Sequence, residues 1–145
     1  MVIPELKAVI FIFNDIKSLI LSSIGLNSIE LKELVINALE DTKGKDITVI
    51  DVRDKTDVTD MMIMVSGTSS RHVKSLADNL VKTCKDAGIQ PLGTEGEEQS
   101  EWILVDLAEI VVHLMMPSAR QFYDLERLWE TAANARVEEA LVEKE

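Results

Sequence analysis

Two apolar stretches, Trp102 to Asp106 and Ile110 to Met116, stand only three residues apart. Strands joined this tightly are expected to pair as an antiparallel hairpin. Upstream, Met61-Met62-Ile63-Met64-Val65 is a short continuous apolar run and reads as a buried strand. Ile47, Val49, Ile50 and Val52 read as another strand, giving way to the charged run Asp51 to Asp60, and Ile89 to Leu92 as a short fifth one leading into a Gly93-to-Gly96 loop. Helices fill the gaps. Asn27 and Glu30 are spaced like a capping box ahead of Leu31, Leu34, Val35, Ala38 and Leu39, and Gly44 is placed to stop that helix. A small-residue turn, Ser66 to Arg71, opens a second helix with Val73, Leu76, Ala77, Leu80, Val81 and Cys84 on one face and a stop near Gly88. Pro117-Ser118 starts the last helix, with Ser118 and Gln121 as a capping pair and Phe122, Leu125, Trp129 and Ala132 on a shared face expected to pack on the sheet. The order α-β-β-α-β-β-β-α predicts an α+β fold, a mixed five-stranded sheet with flanking helices, and not a Rossmann alternation.

Charge narrows the partners. With 145 residues and a net charge of −11, the chain is expected to hold one main domain and to lack the basic surface that nonspecific phosphate binding needs. An acidic protein still finds a nucleoprotein by docking on one of its basic proteins. The single cysteine, Cys84, excludes an internal disulfide, reads as a small buried hydrophobe and fits a reducing cytoplasm. Residues 1–27 form an extension of unknown role. Its apolar run Ala8 to Phe13 is cut by Asn14-Asp15-Ile16-Lys17 before reaching membrane-spanning length, and its start is not basic as a signal peptide requires. The domain proper is expected over 28–135, with a charged tail over 136–145.

Candidate chemistry concentrates at one place. The stretch Trp102 to Trp129 holds both tryptophans, the one tyrosine and one of two histidines. Between Thr94 and Ala119 lie six carboxylates (Glu95, Glu97, Glu98, Glu101, Asp106, Glu109) and no Lys or Arg. Anchoring aromatics beside negative charge suit a basic partner. The competing reading is a nucleotide site at Gly67-Thr68-Ser69, where a helix N-terminus attracts phosphate. A nucleotidyltransferase would also need an acidic pair on the following strand, and Ile89 to Leu92 has none. That turn therefore reads as a helix cap. His113, inside an apolar strand, reads as a hydrogen-bonded sheet residue, and the paired methionines as core filling. No cofactor and no metal are expected, since two histidines with no matching carboxylate spacing do not make a zinc site.

In this order and spacing the segments resemble the ribosomal silencing factor family, also called RsfS, Iojap-like or YbeB. The resemblance covers about Ser28 to Glu130. It is carried by Asp51-Val52 with Thr59-Asp60, by Ser66-Gly67-Thr68-Ser69-Ser70-Arg71, by Glu95-Gly96, by Trp102 to Asp106, by Val111-Val112-His113, and by Arg120 with Tyr123 to Trp129. It implies a fold like a reduced nucleotidyltransferase core and a noncatalytic role. That role is binding the fourteenth ribosomal protein of the large subunit, blocking small-subunit joining and lowering translation when nutrients are scarce. It also implies a homodimer when free, no sequence-specific nucleic acid binding and no membrane. Departures from the pattern are Met61-Met62 where relatives carry aromatics, Glu101 in place of a glycine, and Leu107-Ala108-Glu109 at the hairpin tip where Gly-Asp is usual. An alanine there tolerates positive φ poorly.

The expected partner-binding residues are Trp102 and Leu104 as apolar anchor, on one face by strand alternation. Asp106 and Glu109 would meet Lys or Arg of the partner, and Arg120 and Tyr123, at the last helix, would complete the patch.

Overall fold

The computed structural model describes residues 27–57 and 59–129. The expectations for residues 1–26, for Ala132 and for the 136–145 tail lie outside the described residues. In chain order the elements are α1 (Ser28–Asp41), β1 (Lys45–Asp51), β2 (Met61–Ser66), α2 (Ser70–Asp86), β3 (Gly93–Glu95), β4 (Trp102–Asp106), β5 (Ile110–Met115) and α3 (Pro117–Tyr123). The strands form one sheet in the order β1-β2-β5-β4-β3, with β2 and β5 parallel and the other neighbours antiparallel. The expected hairpin is the β4–β5 pair. The α+β class and the mixed five-stranded sheet are both present.

Alternation decides which side of the sheet is covered. Ile63, Val65, Ile103, Val105, Val112 and Leu114 are all fully buried. They form one core with Leu31, Val35 and Leu39 of α1 and Val73, Leu76, Leu80 and Cys84 of α2. Each such burial is worth about 1.5–3 kcal/mol. A one-residue slip of β4 would turn Ile103 and Val105 out of the core.

Helix ends follow local chemistry. Asn27 Oδ1 accepts the Glu30 N–H at 2.9 Å, and Ser69 Oγ accepts the His72 N–H at 3.1 Å. At the end of α1 the left-handed residue is Lys43, with φ 61, while Gly44 N–H closes on Leu39 O at 2.8 Å. Gly44 is needed for closeness, since a Cβ there would stand 2.6 Å from Val65 Cγ2.

Three expectations need correction. The strand expected at Ile89 to Leu92 lies instead at Gly93–Glu95. Ile89 spends its N–H on Cys84 O at 2.8 Å to close α2, and Pro91 has no N–H to give a ladder. The Ser118–Gln121 capping pair does not form. Met116 occupies the cap position with no side-chain bond, and Pro117 supplies the helical start, leaving Ser118 inside the first turn. Lastly, α3 ends after seven residues because Asp124 turns left-handed, with φ 46 and ψ 54, before residues 125–129 resume a helical path. That break destroys the expected shared face. Phe122 is 81% exposed, while Leu125 and Trp129 are half-buried.

Candidate docking site

The sheet face opposite α1 and α2 is ordered in rows by strand register. One row runs Thr48, Met64, His113, Leu104, Glu95, the next Ile50, Met62, Val111, Asp106, Gly93. A third links Ser66, Met115 and Trp102. Met64 and Met115 are fully buried, whereas Ile50, Met62, Leu104, Val111 and Trp102 stay partly open. As strand alternation requires, Trp102, Leu104 and Asp106 share this face while Ile103, Val105 and Leu107 point to the core.

Rings chain outward from the buried His113. Trp102 Nε1 donates to His113 Nδ1 at 3.0 Å, with ring centroids 5.8 Å apart. The Tyr123 ring lies 4.8 Å from Trp102, and Phe122 meets Tyr123 edge-on at 5.1 Å. His113 is 4% exposed and Tyr123 51%, so the cluster passes from the interior to solvent. Burial holds the His113 imidazole down at about 4. An indole N–H only donates, so Nδ1 accepts and the neutral ring carries its proton on Nε2. That Nε2 is buried with no partner among the described residues.

The six expected residues do not all meet. Trp102, Leu104 and Tyr123 lie on or beside this face. Asp106 stands at the far end of β4, roughly 13 Å from Trp102 at strand rise. Its Oδ1 accepts the Ala108 N–H at 2.8 Å. The Glu109 carboxylate accepts Ser28 Oγ at 3.0 Å, at the start of α1. Arg120 turns inward, with a side chain only 14% exposed. It donates to Asp46 O, Ser66 Oγ and Thr48 Oγ1, and pairs with Glu126 at 2.7 Å. The Arg120 donors are thus committed within the chain, where the side chain anchors α3.

Beside Trp102 an open groove of about 610 Å³ is lined by Glu95, Glu97, Glu98 and Glu101, with Ala119 and Tyr123 closing it. None of its lining residues is Lys or Arg. The loop is fixed by Ser100 Oγ donating to Glu97 O at 2.8 Å and by Gly96, at φ 88, where a Cβ would fall 2.1 Å from Trp102 O. Phe122 is the residue missed at this site. Two positions along a helix are about 200° apart, so once Arg120 faces inward, Phe122 faces out.

The Gly67 turn is closed on itself. A Cβ on Gly67 would stand 2.8 Å from Val73 Cγ2. The Thr68 N–H donates to His72 Nδ1 at 2.9 Å, and His72 Nε2 donates to Thr42 O at 2.7 Å. No cluster of three or more His, Cys, Asp or Glu able to hold a metal occurs among the described residues. Cys84 is fully buried, and burial pushes its thiol up to about 11. No helix among the described residues is long and apolar enough to cross a membrane.

This geometry defines a class: an α+β domain with helices on one sheet face and a half-open aromatic patch beside acidic residues on the other. A family model described as "Ribosomal silencing factor during starvation" matches residues 26–145. The ribosomal silencing factor RsfS of Haemophilus influenzae is 48% identical over 99 residues, covering 68% of this chain and 97% of that protein. A crystal structure of a Chromobacterium violaceum protein is similar with a TM-score of 0.71 at 44% identity, covering 72% of this chain and 88% of that one. The mouse protein named "Mitochondrial assembly of ribosomal large subunit protein 1" is 34% identical over 100 residues, which is 67% of this chain and 44% of that one. The chain belongs to the ribosomal silencing factor family.

Proposed function

We propose that the chain binds the large ribosomal subunit through its fourteenth ribosomal protein, blocks joining of the small subunit and lowers translation when nutrients are scarce. Family membership supports a ribosome-associated silencing role. One observation carries the docking reading: Trp102 and Tyr123, 4.8 Å apart, stand on a sheet face that α1 and α2 leave open. Glu95, Glu97, Glu98 and Glu101 border them, so Lys or Arg of a basic ribosomal protein finds charge there, while Asp106 and Glu109 meet further cations at the hairpin tip. The effect is steric and needs no chemistry from the chain. The free protein is a cytoplasmic homodimer on the same reading.

Co-sedimentation of the full chain with purified large and small subunits tests this. The chain pellets with large subunits alone, and Trp102→Ala, still folded, loses about 2 kcal/mol, roughly thirtyfold in affinity. Equal pelleting of that variant, or equal binding to small subunits, overturns the reading. A nucleotide site at the Gly67 turn has less support, because the Thr68 amide and Ser69 hydroxyl are already bonded to His72.

A further inference from the structure

We infer that His113 is a positioning residue for the docking surface: by accepting the indole N–H of Trp102, it fixes the orientation in which that ring meets a partner. The inference rests on the docking reading above. Trp102 is only half-buried, on a strand whose ladder partner is Met115. Contact with the Tyr123 ring holds the indole in place but does not choose which edge it presents, because the second side-chain torsion of Trp is broad. The bond to His113 Nδ1 is directional and does choose. With its N–H spent inside the chain, the indole offers apolar surface outward, and a partner need bring no acceptor for it.

The arrangement costs stability elsewhere. Trp102 binds Nδ1, so the imidazole proton sits on Nε2, which is buried with no acceptor among the described residues. His113 lies in a row between Met64 and Leu104, where an apolar side chain would remove that stranded donor. Losing the histidine would not strand Trp102 in turn, since the indole of a half-buried residue can turn its N–H to water. For stability alone, an apolar residue suits position 113 better than histidine does. Stability and docking therefore make opposite demands on this position.

The test uses the full chain labelled with ¹⁵N, which has two indole N–H signals, the Trp102 signal being the one that Trp102→Phe removes. In His113→Leu that signal moves and exchanges faster with water, the melting temperature stays equal or rises, and binding to purified large subunits weakens about fivefold, the worth of one ordinary hydrogen bond. His113→Asn is the rescue variant, because its Oδ1 sits as many bonds from the backbone as Nδ1. It returns the signal toward the wild-type position and recovers most of the binding. An unmoved indole signal in His113→Leu overturns the inference. So does a moved signal with unchanged binding, or a joint fall of melting temperature and binding that His113→Asn does not reverse. If Trp102→Ala itself binds like wild type, the docking reading falls and this inference falls with it. The indole signal separates that outcome from failure of the His113 step alone.

Discussion

The guanidinium of Arg120 donates to the main-chain oxygen of Asp46, seventy-four residues earlier, at 2.6 Å. Asp46 sits at φ 50, where the β1 register slips between Lys45 and Thr48. The same side chain reaches Ser66 Oγ at 3.0 Å and Thr48 Oγ1 at 2.9 Å, so one residue ties the last helix to the edge strand of the sheet. Arg120→Ala leaves those acceptors and Glu126 without their cation. The expected loss is about 2–3 kcal/mol, or ten degrees or more in melting temperature for a domain of roughly this size. Arg120→Lys recovers only part, because a single ammonium does not span the fork's several acceptors. Thermal unfolding followed by circular dichroism checks this, and a change under about 0.5 kcal/mol, the ordinary range for an uninvolved surface site, would contradict it.

Ala108 holds φ 75 at the hairpin tip, with Glu109 N–H closing on Leu107 O at 3.1 Å as a three-residue turn. The Cβ of an L-residue is strained there, and glycine is not. Ala108→Gly is expected to stabilise the fold by about 0.5–1 kcal/mol, the relief of strain exceeding the entropy that glycine adds to the unfolded chain. Urea unfolding should show a higher midpoint with an unchanged slope. A lower midpoint would mean the tip does not hold this turn.

Much of this fold was legible because burial imposes a period. The faces Leu31-Val35-Ala38-Leu39 and Val73-Leu76-Ala77-Leu80-Cys84 were readable from helical spacing, and the inward Ile103 and Val105 from alternation. What escaped depends on contacts between distant residues. The apolar Ile89 resembles the start of a strand until its N–H is seen closing α2. The last helix looked continuous because its periodicity survives on paper, whereas Asp124 breaks it in space beside an Arg120 anchored 74 residues away. At the site, alternation placed Trp102 and Leu104 together, but the partner of the indole was hidden. Trp102 pairs with Met115, and His113 is its diagonal neighbour, visible only once the register is known.

Acid should weaken the fold in a defined window. The imidazole of His113 titrates near 6.5 in an unfolded chain, while burial holds it down at about 4 in the folded one. Its neutral form is therefore favoured by folding. The stability tied to this group is complete above pH 6.5 and is lost as pH falls toward 4, where the folded protein takes up the proton too. The full window is worth about 3 kcal/mol. Comparing urea midpoints of wild type and His113→Leu between pH 7.5 and 4.5 isolates the effect. Wild type should lose stability faster than the variant below pH 6.5, and parallel curves would contradict the prediction. Asp51, held down at about 2 mainly by its hydrogen bond from Arg53, loses its contribution only below its ordinary value of 3.8.

Phe122 separates adhesion from folding more cleanly than any other residue of the cluster. It is 81% exposed, and its described ring contact is the edge-on approach to Tyr123 at 5.1 Å. Removing an exposed ring leaves no cavity, so Phe122→Ala should change stability by less than about 0.5 kcal/mol. A phenyl ring presented to water beside Tyr123 and Trp102 gains most when a partner covers it, and truncating such an anchor commonly costs 1 kcal/mol or more in binding. The expected outcome is an unchanged melting temperature with about fivefold weaker association with large subunits. Trp102→Ala should weaken association further, because it removes a larger apolar ring that contacts both Tyr123 and His113. Co-sedimentation titrations of the two variants in parallel decide the matter. Wild-type affinity for Phe122→Ala would confine the docking surface to Trp102, Leu104 and Tyr123 and leave the exposed ring outside it.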